Sequence, residues 1–222
     1  MPHGQSSCNR AAFLLTVSLL AGLSLFPAGK AMAERAVELP VLAAINANNR
    51  GVFEILLIWW DRKAEPDPVA LQWYNAGVKL GDTHLGAMTR AFRYAVERTP
   101  AIHHRGTVSV RGVAYMPTSS DGPSAGAAMA VGFIAVFKGD TVRRGVALTG
   151  TLEPSGRIGP VGAIPDKIRA AAREGYRTVL IPQGQLHNAH WDLARLALEL
   201  NVTVTEVSTI DDAYELMTGQ KL

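Results

Sequence analysis

The stretch SSDGPSAGAAMAVGF, residues 119–133, sets one serine among a proline and two glycines and then runs on as small apolar residues. Ser124 stands at the start of a helix predicted over 125–137. Serine is a preferred N-cap, so capping is the ordinary interpretation of this position. The reciprocal capping box is missing, because the third residue after Ser124 is Ala127. Amides at a helix N-terminus also attract anions, so two roles stay open: a helix cap, or a nucleophile beside an oxyanion site.

The N-terminus has the pattern of a secretory signal peptide. Arg10 supplies a positive charge, residues 11–26 form an apolar core, and an AMA motif ending at Ala33 offers a cleavage site. The apolar run is short for a membrane span, which needs about 20 residues. We therefore predict a signal peptide over 1–33, a mature domain over 34–222 and a periplasmic or secreted location. The alternative is an uncleaved leader that anchors the protein in the inner membrane.

Charge and cysteine content exclude several classes of protein. The chain has 22 Lys and Arg against 19 Asp and Glu, and two of the basic residues, Arg10 and Lys30, belong to the leader. The mature chain is therefore near neutral, without the basic cluster that marks a nucleic-acid surface. Cys8 is the single cysteine of the sequence and also lies in the leader. We expect no disulfide, no cysteine-ligated zinc and no cysteine nucleophile in the mature chain.

Strands and helices alternate along the mature chain. Strands are predicted over 36–45, 51–60, 106–116, 146–153, 177–182 and 202–207. Helices are predicted over 69–98 with a break near Gly81, and over 125–137, 165–175, 190–201 and 209–219. This interleaving predicts an α/β or α+β fold in one domain.

A serine nucleophile needs a base, and histidine is the usual one. The histidines outside the leader are His84, His103, His104, His187 and His190. None of them lies in a catalytic motif. The spacing of His187 and His190 would let both reach one metal, but an exposed loop-to-helix pair is the simpler interpretation.

Lysine is the other candidate base, because burial lowers its pKa by up to ~3–5 units. In AIPDKIRAAAREG, residues 163–175, Ile164, Lys167, Ile168 and Ala171 follow the helical i, i+3, i+4, i+7 spacing. Lys167 therefore shares the stripe that faces the core. The alternative is a first-turn lysine whose amine reaches water.

Two segments carry a resemblance to the proteolytic domain of the Lon proteases. They are SDGPSAGAAMA, residues 120–130, and VRRGVALTGTLEPSGRIGPVGAIPDKIRAAAREGYRTVLIP, residues 142–182. The strand and helix segments that close the chain are similar as well, and the resemblance extends back to about residue 36. It implies the α+β fold of that family, with helices packed on mixed sheets.

The resemblance also implies a Ser–Lys dyad. The family's serine lies in a P-S-A-G turn and its lysine 43 residues later, as Ser124 and Lys167 do here. Thr149, in a matching Thr-Gly pair, is implied to support the lysine, and Asp121 to line the active-site loop. Backbone amides at Gly122 and Ser124 are expected to hold the oxyanion.

The chain departs from the family in three places, and one of them is Thr151, where an acidic residue is common after the Thr-Gly pair. The family often has two glycines and a further lysine before the catalytic lysine, where this chain has Ala163 and Pro165. Lon proteases usually feed this domain from an ATPase ring, yet no G-x-x-x-x-G-K-[ST] phosphate loop occurs in the sequence.

Together these features predict an exported, ATP-independent serine endopeptidase that cleaves peptides or unfolded proteins without a metal or organic cofactor. The family's ring assembly implies a homo-oligomer. The alternatives are a catalytically silent binding or chaperone-like module, a partner-activated enzyme and a self-processing protease.

Overall fold

A mixed seven-stranded sheet with helices on both faces forms the centre of this computed structural model, which describes residues 36–45, 50–62, 68–74, 78–113 and 118–222. The predicted leader lies outside the described residues. The architecture is α+β, which confirms the fold class expected from the sequence.

The strands and helices alternate much as their sequence patterns indicated. The strands are β1 (Val37–Ile45), β2 (Arg50–Asp61), β3 (Ala70–Tyr74), β4 (Val78–Leu80), β5 (Thr107–Val113), β6 (Thr118–Ser120), β7 (Val146–Leu148), β8 (Thr151–Leu152), β9 (Ile158–Gly159), β10 (Thr178–Pro182) and β11 (Thr203–Val207). The helices are α1 (Asp82–Arg98), α2 (Gly126–Lys138), α3 (Ile164–Arg173), α4 (Leu193–Leu200) and α5 (Ile210–Thr218).

The strand order of the main sheet is β11-β10-β7-β1-β2-β5-β3. β1 and β2 form a long antiparallel pair, from Val37 opposite Ile58 to Ile45 opposite Arg50. β7, β10 and β11 run parallel to one another, and β7 joins β1 through the pair Val41 and Leu148. Two small sheets, β4–β6 and β8–β9, lie outside the main one.

Helix α2 explains the small apolar run that follows Ser124. Every residue from Gly126 to Phe137 is buried, because α2 packs against β1, β2, α1 and α5. A helix that is apolar all round belongs inside a protein. A Cβ on Gly132 would lie 2.8 Å from Ile58 Cδ1, so glycine there allows α2 to approach the sheet closely.

The two faces of the sheet carry separate cores. α1, α2 and α5 cover one face around residues such as Phe133 and Tyr214. α3 and α4 cover the other around Ile168 and Leu193. β1 contributes to both, with Leu39 on the first face and Leu42 on the second. The central strand therefore connects the two halves of the domain.

The helix predicted over 69–98 is wrong in its first part. Residues 70–74 form β3, an edge strand that pairs in parallel with β5, and 78–80 form β4. Leu71 and Trp73 are partly buried while Gln72 and Tyr74 are exposed, which is the two-residue period of a strand. Short apolar runs do not distinguish the two periods reliably. The helical half begins at Asp82, just after the predicted break.

The strand predicted over 146–153 is in fact two strands in different sheets. β7 ends at Leu148, and β8 begins at Thr151 in a hairpin with β9. The break falls at Thr149-Gly150, where a Cβ on Gly150 would overlap the Ile158 side chain. β9 lies within a segment rich in glycine and proline, residues 154–162.

Among the described residues, none of the helices has the length and apolar character needed to cross a membrane.

Candidate active site

Ser124 lies in the turn that leads into α2, but it does not cap the helix. The N-cap is Ala125, and no side chain makes a capping hydrogen bond there. The Ser124 carbonyl accepts a hydrogen bond from Gly150 N–H at 2.8 Å, and Gly126 N–H donates to Pro123 O at 3.0 Å. These bonds hold the turn against the break between β7 and β8. The half-buried Ser124 side chain is thereby left for another role than capping.

Lys167 lies on the buried face of α3, as the helical spacing indicated. Ile164, Ile168 and Ala171 share this face, and Lys167 itself is 3% exposed. Its Nζ donates to Thr149 Oγ1 at 3.1 Å. Burial lowers the pKa of the amine from 10.5 to about 8. Near neutral pH a useful fraction of this lysine is therefore the free amine that a general base must be.

Thr149 links the lysine to the serine turn. It is fully buried at the end of β7, and its N–H donates to Leu180 O in β10 at 3.0 Å. Its hydroxyl donates to the Ser124 carbonyl at 3.3 Å and accepts from Lys167 Nζ. Because a hydroxyl has one hydrogen, the bond to Ser124 O leaves its lone pairs for the amine. The Thr149 hydroxyl thus holds the Lys167 amine close to the serine turn.

A pocket of about 190 Å³ is lined by both residues of the predicted dyad. Ser124 and Lys167 line it with residues 41–44 at the end of β1, His84 of α1 and Gly162–Ala163 before α3. Apart from these polar side chains and the Asp121 carboxylate, the lining residues are glycines and aliphatic residues. Two side chains 43 residues apart in sequence therefore share one cavity.

Asp121 ties the serine turn to the start of α1. Its Oδ1 accepts from the backbone N–H of His84 at 3.1 Å and of Gly122 at 2.9 Å. Burial alone would raise the pKa of this carboxyl, but these N–H donors and Thr83 outweigh it and lower the pKa. A Cβ on Gly81 would overlap the carboxylate, so glycine is needed at that contact. Asp121 caps α1 from another part of the chain.

The hydrogen bond to Asp121 engages Gly122 N–H, which is one of the two amides expected to hold an oxyanion. Gly122 N–H donates to Asp121, and its φ of +125° is a conformation that favours glycine. The Ser124 amide, one residue before the N-cap of α2, makes no backbone hydrogen bond within the part of the chain that the structure describes. The oxyanion role of both amides stays a prediction.

His84 is a pocket residue that the sequence analysis did not single out. It is 2% exposed, and burial lowers the pKa of its imidazole against a smaller opposing effect of the Asp121 charge. The buried stripe of α1 includes His84, Ala87 and Met88. The i, i+3, i+4 spacing of these three residues is the sequence signal that could have identified His84 as buried.

The other histidines lie apart from the dyad. His104 Nε2 lies 2.8 Å from Thr99 Oγ1, and its ring packs on Phe137 in the core. His103, His187 and His190 are exposed. Across the described ranges, no group of three or more His, Cys, Asp or Glu side chains is placed to hold a metal ion.

Ala163 adopts a left-handed conformation, with φ of +54°, at the N-cap of α3. This is one of the two positions where the resembling family often has glycine. Pro165 occupies the first turn of the helix, where a missing N–H is tolerated. The departures in sequence therefore do not displace Lys167 from the pocket.

A comparison with protein families places this site in context. The profile of the Lon protease (S16) C-terminal proteolytic domain matches residues 86–218, which is more than half of the chain. The chain belongs to the Lon proteolytic domain family. This membership confirms the resemblance, and it makes the chain a domain of a serine-protease family. The matched region of this Lon domain contains Ser124, Thr149 and Lys167.

Individual Lon proteases are similar over shorter stretches. The Lon protease of Azospirillum brasilense is 33% identical over 144 residues, which cover 62% of this chain and 17% of that protein. Lon protease 2 of Syntrophobacter fumaroxidans is 40% identical over 101 residues, or 45% of this chain and 12% of that protein. The Lon protease of Haemophilus influenzae is 38% identical over 97 residues. The chain thus spans less than a fifth of the length of these relatives.

Proposed function

We propose that this Lon domain is a serine endopeptidase in which Ser124 is the nucleophile and Lys167 the general base. The observation that carries the proposal is the buried lysine amine, with its pKa lowered to about 8, held by Thr149 in the pocket that Ser124 lines. A buried lysine is costly to a fold, because burial disfavours its charged form. A structural role would be served better by an apolar residue.

The reaction starts with the neutral amine of Lys167. The amine takes the proton of Ser124 Oγ as the oxygen attacks the carbonyl carbon of the scissile peptide. The ammonium then returns the proton to the leaving nitrogen, the C–N bond breaks, and an acyl-enzyme remains. Water attacks the ester with Lys167 again as base, and Ser124 is regenerated. Thr149 keeps the amine oriented throughout.

Backbone amides of the serine turn are the proposed oxyanion donors. The N–H of Ser124 stands at the start of α2, where the helix dipole also favours negative charge. Gly122 N–H would join it once released from Asp121. Single donors of this kind are typically worth ~3–4 kcal/mol in the transition state.

Peptides and unfolded proteins are the proposed substrates, and cleavage is proposed to need no ATP. Hydrolysis through the Ser–Lys dyad consumes no nucleotide, and the pocket is small, so the substrate must reach it as an extended segment. Export to the periplasm or the exterior is supported by the leader pattern over 1–33. Assembly into a homo-oligomer is an expectation from the family.

The test is digestion of an unfolded protein by the purified chain, without ATP. Ser124→Ala and Lys167→Ala are each paired with a control at an exposed site, Ser155→Ala and Lys221→Ala, and all are checked for folding by circular dichroism. We expect cleavage by the parent chain and both controls, and its loss in both dyad variants.

Each other outcome has a definite meaning. Cleavage that survives Ser124→Ala would exclude Ser124 as the nucleophile. No cleavage by the folded parent chain between pH 6 and 10 would favour a binding module or a partner-activated enzyme instead. A defined cut within the chain itself, absent in Ser124→Ala, would indicate self-processing.

A further inference from the structure

His84 is the polar group of the pocket that the proposed mechanism does not use. Its side chain is 2% exposed, and it lines the pocket with Ser124 and Lys167. Its Nε2 is buried and has no hydrogen-bond partner among the protein groups that the structure describes. By contrast the partly buried His104 has the Thr99 hydroxyl as a partner.

An unpartnered buried ring nitrogen is unfavourable, because the group has lost water without replacing it. The backbone does not explain why a histidine is needed here, since it is the His84 N–H, and not the ring, that bonds Asp121. Apolar residues of similar size would fill the same space. The ring nitrogen is therefore suited to a partner that enters the pocket.

We propose that His84 is a specificity residue that hydrogen-bonds an uncharged polar side chain of the substrate, an amide or a hydroxyl, seated in the pocket beside the scissile bond. This rests on the proposed function in so far as the occupant is a peptide. The pocket, at about 190 Å³, is smaller than the ~300–1,000 Å³ clefts that take drug-sized ligands, so it fits one or two residues.

The chemistry of the pocket favours an uncharged group. A cationic side chain would meet Lys167, and an anionic one would meet the Asp121 carboxylate, both of which line the same cavity. Burial lowers the pKa of His84, so its ring is neutral at pH 7 and Nε2 is either a donor or an acceptor. Amides and hydroxyls offer both a donor and an acceptor, and so they satisfy either tautomer.

An apolar side chain in the pocket would leave Nε2 unpaired. Sites built to hydrogen-bond a substrate reject analogues that lack the group, because the buried polar atom then stays unsatisfied. Leaving such a group unpaired corresponds to a discrimination of roughly tenfold to a hundredfold. Asparagine and leucine are of similar size, so the pair isolates this effect from that of volume.

The test uses the full chain and decapeptide pools in which one position at a time is fixed as Asn or as Leu. Cleavage rates are measured for the parent chain, and binding is measured for the same pools with Ser124→Ala, which retains the pocket but has lost the proposed nucleophile. We expect one position at which Asn is preferred over Leu by about tenfold or more. In His84→Met that preference should vanish, while His84→Gln, which keeps an amide near the place of Nε2, should retain part of it.

A control separates selectivity from stability. His104→Met removes a partly buried histidine away from the pocket, so it should lower thermal stability without changing the Asn-to-Leu ratio. If His84→Met does not fold, the ratio in His84→Gln against His104→Gln decides the question.

The two proposals fail in different ways. If the parent chain cleaves but His84→Met keeps the same Asn-to-Leu ratio, the role of His84 is wrong and the peptidase proposal stands. If nothing is cleaved but Ser124→Ala binds Asn peptides in a manner dependent on His84, the catalytic proposal falls and the role of His84 stands. If no position prefers Asn in either assay, His84 is a structural residue.

Discussion

Replacing Lys167 with methionine should make the protein more stable at pH 7 and inactive. Methionine has a similar unbranched shape, so it fills the same space on the buried face of α3. The lowering of the Lys167 pKa from 10.5 to about 8 means that the folded protein binds the proton more weakly than the unfolded chain does. At about 1.4 kcal/mol per pH unit, a protonated Lys167 disfavours the folded state by about 3 kcal/mol below pH 8.

The sign of the pH dependence follows from proton binding. Between about pH 8 and 10.5 the unfolded chain still carries the lysine proton and the folded chain has released it. Stability of the parent chain therefore rises with pH in this window. Most of the destabilisation by protonated Lys167, roughly 2.5 kcal/mol, should be gone by pH 10.

Lys167→Met removes the unfavourable free energy of the buried ammonium, but it also loses the hydrogen bond to Thr149, which is worth about 1 kcal/mol. We therefore expect Lys167→Met to be about 2 kcal/mol more stable than the parent at pH 7, with the advantage lost by pH 10. Urea unfolding followed by tryptophan fluorescence at pH 7, 8.5 and 10 measures the difference, and the exposed Lys221→Met is the control.

A difference in stability that does not change with pH would refute the reasoning, because it would mean that Lys167 has an ordinary pKa in the folded protein. Cleavage by the parent chain should report the same group independently. Its kcat/KM should rise about tenfold per pH unit below pH 8 and level off above it, as the amine loses its proton.

Three further substitutions test the surroundings of the dyad. Thr149→Val removes the acceptor that stabilises the lysine ammonium, so it should lower the pKa of Lys167 further and cut kcat about tenfold or more; an unchanged pH–rate profile would contradict the contact. Ala163→Gly relieves the left-handed backbone at φ +54° and should stabilise the protein by about 1 kcal/mol in urea unfolding, whereas a loss of stability would show that the strain is absent. Gly51→Ala places a Cβ against the Asp166 carbonyl beside Lys167, so it should destabilise the protein by about 2 kcal/mol and lower activity together. Gly86→Ala in α1 is the control, because a Cβ there meets only the flexible end of Arg90, at 3.4 Å.

The local part of the site was predictable from the sequence. The helical spacing around Lys167 placed it on the face that packs on the sheet, because i, i+3 and i+4 residues share one side of any helix. The missing capping box already weakened the case for Ser124 as a cap, and the structure shows Ala125 at that position. The strands β1 and β2 were predictable from the two apolar runs at 36–45 and 51–60.

The elements that were predicted wrongly depend on partners far away in the chain. Residues 70–74 became a strand because β5, more than 30 positions later, pairs with them. The break at Thr149-Gly150 arises because β7 pairs with β10 while β8 turns to β9. The hydrophobic periodicity of a short segment of sequence does not contain that information.

The sequence by itself determined the spacing of the two residues proposed to carry the chemistry: a serine after a glycine-proline turn, and a lysine on the apolar face of a helix 43 residues later. Only the tertiary structure decided what surrounds them. The Thr149 hydroxyl contacts Lys167, 18 residues away, and the Ser124 carbonyl, 25 residues away. Asp121 caps α1 from 37 residues away, and the His84 ring lines the same pocket from that helix. Helical and strand periods act within a few residues, whereas the burial that lowers the pKa of Lys167 exists only once the sheet and α3 have packed together.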